Sequence, residues 1–105
     1  LDALRELKEV MEDEFDILID TYLNDSVVRI ASLKEAVQQQ NPDAFRKAAH
    51  SFKGSCGNIG ANGLAALCKK AEDMGAAGDL AQADSLVVQI ETVYADVKSA
   101  LAGPL

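Results

Sequence analysis

The sequence predicts an all-α fold, an antiparallel four-helix bundle with a short N-terminal accessory helix, and three observations lead there. Hydrophobic residues make up 49% of the chain but aromatics only 5%, and tryptophan is absent. Ala, Leu, Val, Glu, Asp, Lys and Gln dominate instead, a composition that favours helices over sheets. Apolar residues recur at steps of three and four, the period of one helix face. Glycine, proline and asparagine fall where they cut this pattern into separate stretches. At 105 residues the chain suits one domain, residues 1–105, large enough to bury a core without disulfides or a structural metal.

The opening stretch, Leu1 to about Met11, places Leu4, Leu7 and Met11 on one side and reads as the accessory helix. The acidic run Glu12-Asp13-Glu14, with Asp16, suits a helix start. From about Glu14 to Gln40 no Pro or Gly interrupts a stripe of Phe15, Leu18, Ile19, Tyr22, Ser26, Ile30, Leu33 and Val37. Asn41-Pro42-Asp43 then forms a strong helix start: Asn41 as N-cap, Pro42 at the first helical position, Asp43 favourable to the dipole. That helix is expected to run to about Ile59, with Gly60 in the left-handed conformation that ends it and Asn62-Gly63 as the turn. The next carries Leu64, Leu67, Cys68 and Ala71 on one face. Gly75 to Asp79 reads as the following break, with Asp79 capping a last helix that turns Ala83, Leu86, Ile90, Val93, Val97 and Leu101 inward and stops at Gly103-Pro104. Each stripe is buried only against its neighbours, and short connections make those neighbours antiparallel.

Charge and motifs exclude several classes of function. A formal charge of −7 repels nucleic acid and anionic lipid, so neither is expected as a partner. No apolar run approaches the roughly 20 residues of a membrane span, and no signal segment opens the chain, so a cytoplasmic location is expected. Cys56 and Cys68 form no CxxC pair and one histidine stands alone, which supplies neither a zinc site nor a di-iron bundle. Both cysteines read as core fillers. P-loop, dinucleotide-binding and HExxH patterns are absent, as is any ATP-binding segment for an autokinase.

The remaining signal is "AAHSFKGSCGNIG", residues 48–60, where the lone His50 sits among glycines. On a wheel at about 100° per residue with Phe45 at zero, Ala49, Phe52, Cys56 and Ile59 fall within about 40° and form the core face. His50 lies near ~140°, Arg46 near ~100°, Lys53 near ~80°, Gly57 near ~120° and Gly54 near ~180°. His50 therefore points to solvent, with Arg46, Lys47, Lys53 and Gly54 as its helical neighbours. Gly54 and Gly57 together cost the helix about 2 kcal/mol, and clearance for another protein's backbone offsets that cost. A neutral imidazole has a free nitrogen lone pair and acts as a nucleophile, and Lys53 places a compact positive charge beside it. Ser51 and Ser55 lie well off the His50 direction, so no hydrolytic triad forms.

The stretch "HSFKGSCGNIGANGLAALCKKAE", His50 to Glu72, resembles the signature of histidine-containing phosphotransfer (HPt) domains. That signature runs His-x-x-Lys-Gly, then small residues, a glycine ten positions after the histidine (here Gly60), and a Leu-rich helix that often carries a cysteine. The resemblance implies a phosphorelay intermediate and phosphocarrier rather than an enzyme. His50 would take a phosphoryl group on Nε2 from a receiver-domain aspartate and pass it to a second receiver. Lys53 would steady phosphoryl charge, Gly54 would give the receiver access, and Arg46 and Lys47 would extend a basic rim toward its acidic pocket, while Gly57 reads as docking clearance for the partner rather than as helix termination. The implied partners are response-regulator receiver domains and a hybrid sensor histidine kinase, with the chain itself a monomer. No cofactor is expected in this chain; magnesium would come with the receiver. Some members carry a glutamine where this chain has Glu72, which reads either as a partner contact or as a carboxylate on the helix surface. Asn58 either hydrogen-bonds near the site or ends the helix. The competing functional class is a helical adaptor that binds a receiver or kinase without being phosphorylated.

Overall fold

The computed structural model describes residues 14–102. The expected accessory helix over Leu1–Met11, the acidic pair Glu12-Asp13 and the stop at Gly103-Pro104 lie outside the described residues. Four helices follow in order: α1 Phe15–Gln38, α2 Pro42–Asn58, α3 Asn62–Ala77 and α4 Ala83–Ala102. Each packs on two neighbours, α1 on α2, α2 on α3, α3 on α4 and α4 back on α1, closing an antiparallel bundle. The α2–α3 seam is the most extensive.

The apolar stripes read from the sequence meet in one core. Phe45, Ala49, Phe52, Cys56 and Ile59 of the α2 stripe are all buried, against Phe15, Ile19, Tyr22 and Leu33 of α1, Leu64, Cys68 and Ala71 of α3, and Ala83, Leu86 and Ile90 of α4. Three aromatic rings from three helices tie it across: Tyr22 to Phe52 at 6.4 Å, Phe52 to Tyr94 at 6.2 Å and Tyr22 to Tyr94 at 6.3 Å between centroids. Ser26, a polar residue on the α1 stripe, is fully buried and donates its hydroxyl to the Tyr22 carbonyl at 2.7 Å, so it leaves no unsatisfied donor. The two cysteines are free and buried, as core fillers should be. The hydrogen bond with Cys56 and burial push the Cys68 thiol well above its ordinary range.

Helix ends follow one pattern. After α2, Gly60 adopts φ 77° and the Ala61 N–H reaches back to the Cys56 carbonyl at 2.9 Å. Following α3, Gly78 adopts φ 70° and the Asp79 N–H reaches Met74 at 3.1 Å. At the end of α1, Gln40 adopts φ 53° and the Asn41 N–H reaches Ala36 at 2.9 Å. All three are left-handed caps that satisfy otherwise orphaned carbonyls. The third is made without glycine, which shortens α1 to Gln38 rather than the expected Gln40. Asn41 then caps α2, its side chain accepting from the Ala44 N–H at 3.1 Å ahead of Pro42.

Two expected breaks move. Asn62-Gly63 is the first turn of α3 rather than a loop, because the left-handed turn at Gly60 has already reversed the chain. Gly75 lies inside α3 and is buried, and the break comes at Gly78 instead. A Cβ on Gly75 would lie 2.7 Å from the Arg46 backbone nitrogen and the Pro42 carbonyl oxygen, so this glycine lets α2 and α3 approach closely. Asp79 caps the turn before α4, accepting from the Ala81 N–H at 3.0 Å, and α4 itself starts at Ala83.

An L-residue in the left-handed region costs about 1–2 kcal/mol that glycine avoids, though glycine's freer unfolded chain returns part of it. Gln40→Gly is therefore expected to raise stability by about 1 kcal/mol. Urea unfolding monitored by circular dichroism checks this, and a lower midpoint would show that the Gln40 side chain, whose amide donates to Val37 O at 3.2 Å, outweighs the backbone strain.

Candidate functional site

Because the α2 core face is held by Phe45, Ala49, Phe52 and Cys56, the opposite face is directed outward at the middle of the bundle. His50 stands there with 64% of its side chain exposed. The imidazole is nonetheless not free to rotate. Its Nδ1 lies 2.8 Å from Oε2 of Glu72, which reaches across from α3. The second carboxylate oxygen, Oε1, accepts from Nζ of Lys53 at 2.6 Å. One carboxylate thus joins the histidine to the lysine one turn further along α2.

Neither sequence reading of Glu72 describes this placement. Its side chain is only 17% exposed, and both oxygens are engaged within the chain rather than offered to a partner. The hydrogen bond from Lys53 and then that from His50 hold its carboxyl below the ordinary carboxylate range. An ionised carboxylate only accepts hydrogen bonds. Nδ1 must therefore carry the ring proton, and the lone pair of the neutral ring sits on Nε2.

The other predicted residues take distinct places. Lys53 is one-third exposed and committed to Glu72. Arg46 and Lys47 both pair with Asp43, at 2.9 and 3.1 Å, so the basic rim carries its own counter-charge. Those two cations hold the Asp43 carboxyl below its ordinary range. Such exposed pairs contribute little and exchange readily with solvent or a partner. Gly54 and Gly57 are exposed, and a Cβ at either would meet nothing within 4 Å. Their bareness is not required by packing. Asn58 is the last residue of α2, which agrees with its reading as a helix end.

A polar clasp that the sequence reading did not anticipate fixes α1 beside this face. Ser55 donates to Asp25 Oδ2 at 2.9 Å, and Asp25 pairs with Arg29 at 3.2 Å. Next to it a shallow groove of about 400 Å³ runs between α1 and α2, lined in part by Arg29, Ser32, Lys47 and Ser51. Among the described residues, none covers most of the His50 side chain, which faces solvent. Among the described residues, no group of three or more His, Cys, Asp or Glu side chains converges as metal ligands would.

The described residues thus form a helical bundle with an oriented imidazole on an open face, beside a lysine and two bare glycines. The family model described as the Hpt domain matches residues 17–100, and the chain belongs to that family of histidine phosphotransfer domains. A crystal structure of histidine-containing phosphotransfer protein B (HptB) from Pseudomonas aeruginosa PAO1 is 42% identical, with a TM-score of 0.92 over 96% of this chain and 88% of that one. No curated protein matches. The four-helix bundle and the phosphorelay carrier role of the family agree with the expectations from the sequence. Domains of this family are phosphocarriers, not kinases, and work with receiver domains and kinases.

The lowered Glu72 carboxyl carries a signed consequence for stability. A group depressed in the folded state stabilises fully above its unfolded value, ordinarily 4.5 here, and that contribution is lost as pH falls through the folded value. The stability difference between wild type and Glu72→Gln is expected to be present above that range and to close below it. Urea unfolding across an acid pH series measures the difference. A gap that persists at the acid end would show that the carboxylate's charge is not its source.

Proposed function

We propose that His50 is the phosphoacceptor of a multistep phosphorelay, taking a phosphoryl group from the aspartyl phosphate of one receiver domain and passing it to the aspartate of another. The observation that carries this reading is the Nδ1 contact with Glu72 at 2.8 Å, which leaves Nε2 as the nucleophilic atom. Nε2 attacks the phosphorus, an N–P bond forms, and the bond from phosphorus to the aspartate oxygen breaks with the carboxylate as leaving group. The Nδ1 proton stays in place. The ring becomes cationic as the bond forms, and the Glu72 carboxylate beside it stabilises that developing charge. Transfer onward is the reverse sequence on a second receiver's carboxylate.

In this reading Lys53 meets the phosphoryl oxygens, exchanging one carboxylate oxygen of Glu72 for a phosphoryl oxygen as the anion arrives. Gly54 and Gly57 leave the approach open. Arg46 and Lys47 can trade Asp43 for acidic groups of the receiver, which steers docking on a protein whose net charge of −7 otherwise repels an acidic partner. Magnesium enters with the receiver's acidic pocket, and no cofactor resides in this chain. The phosphate enters the relay from a hybrid sensor kinase, and the chain acts as a monomer. No helix among the described residues is long and apolar enough to cross a membrane, and a cytoplasmic relay is proposed.

Incubation with a phosphorylated cognate receiver is expected to give this protein an acid-labile, alkali-stable label, and His50→Gln to abolish it. Labelling of the variant as strong as that of the parent would place the phosphate elsewhere. Receiver binding with no label on either protein would instead favour an adaptor.

Gly54→Gln separates clearance from stability. An exposed helical glycine with open space around it gains up to about 1 kcal/mol on substitution, so thermal unfolding is expected at the parent's temperature or above. Transfer is expected to slow on the order of tenfold, through the approach distance the added side chain imposes. Equal transfer rates in quench-flow would remove clearance as the reason for the glycine.

A further inference from the structure

The α2–α3 seam contains a contact that the phosphoryl chemistry does not use. A Cβ built on Gly75 would lie 2.7 Å from each of three atoms: Arg46 Cβ, the Arg46 backbone nitrogen and the Pro42 carbonyl oxygen. Two of the three are backbone. They belong to the first turns of α2, anchored by the Asn41 cap and by Phe45, which is fully buried. No side-chain rotation relieves such a clash; only separation of the helices does.

Gly75 lies one turn beyond Glu72 on α3, and Arg46 lies one turn before His50 on α2. Because the helices are antiparallel, the Gly75–Arg46 and Glu72–His50 contacts are adjacent rungs of one seam. Ordinary van der Waals contact for a Cβ begins at 3.4 Å. A methyl group at Gly75 would open its rung by roughly 0.7 Å. Carried to the next rung, that displacement takes the 2.8 Å contact between Glu72 and Nδ1 to the outer limit of a hydrogen bond.

We propose that Gly75 is a positioning residue for His50: by admitting the Arg46 backbone against α3, it sets the helix spacing at which Glu72 reaches Nδ1 and fixes the ring's tautomer. The inference rests on the phosphotransfer reading only for its effect on rate, since the ring's state is read without phosphate.

Long-range ¹H–¹⁵N correlation spectra of the His50 ring test this directly. Wild type is expected to show the Nδ1–H form. Gly75→Ala is expected to shift toward the Nε2–H form, as is Glu72→Ala, and to slow labelling on the order of tenfold. In a Glu72→Ala background the same change should add little further slowing. Ala76→Gly loosens α3 at an exposed position outside the seam, and its ring is expected to match wild type.

A Gly75→Ala protein with the wild-type ring pattern would overturn the proposal. So would an Ala76→Gly ring altered as much as that of Gly75→Ala, since general loosening would then suffice. Should Gly75→Ala not fold, Glu72→Asp shortens the carboxylate's reach by one methylene in an unaltered seam. It is expected to lose the Nδ1–H preference, and a wild-type ring pattern in it would equally overturn the spacing argument. Loss of the Nδ1–H form in Gly75→Ala without any change in labelling would uphold the positioning and count instead against His50 as the phosphoacceptor.

Discussion

The carboxylate of Glu72, shared between His50 and Lys53 across two helices, is the interaction on which the functional face depends. Its value lies in orientation. A partly exposed carboxylate pairing with a lysine contributes roughly 0–1 kcal/mol, while burial of one ring such as Phe52 stabilises by about 1.5–3 kcal/mol. The fold would survive its loss. What would not survive is a single ring orientation on a surface where most of the imidazole faces water. The aromatic core formed by Tyr22, Phe52 and Tyr94 holds α2 in place, and Glu72 then converts a fixed helix into a fixed nitrogen.

Helical periodicity made much of this legible in advance. Phe45, Ala49, Phe52, Cys56 and Ile59 share one face of α2, and all five are buried. His50 follows outward from them with no further information needed. The cap at Asn41 and the left-handed turn at Gly60 were equally readable, since each depends on a side chain within a few residues of the backbone group it serves. Glu72 was not, because it lies 22 residues from His50 and the meeting is decided by the register of two helices. A wheel drawn on either helix alone contains no register. The clasp of Ser55 on Asp25, 30 residues apart, was hidden for the same reason.

Gly75 shows a different limit. In a run of Gly, Ala, Ala, Gly and Asp it resembles a break, and local propensity supports that reading. Tertiary packing overrode propensity: the helix continues because the glycine removes the one atom that would collide with the Arg46 and Pro42 backbone. Gln40 is the converse case, a residue with no left-handed preference that occupies a left-handed position because the Asn41-Pro42 start of α2 follows at once.

The glycines of this chain therefore divide by what lies beside the missing side chain. Around Gly54 and Gly57 there is open space, and helix stability alone would favour almost any other residue there. Beside Gly75 the space is filled by the chain's own backbone, and no other residue fits without moving a helix. The first kind lowers helix stability and leaves the surface open; the second kind permits the close packing of α2 on α3. Composition counts both as equally unfavourable in a helix. Only the neighbouring helix distinguishes them, and it is the same α2–α3 seam that brings Glu72 to His50.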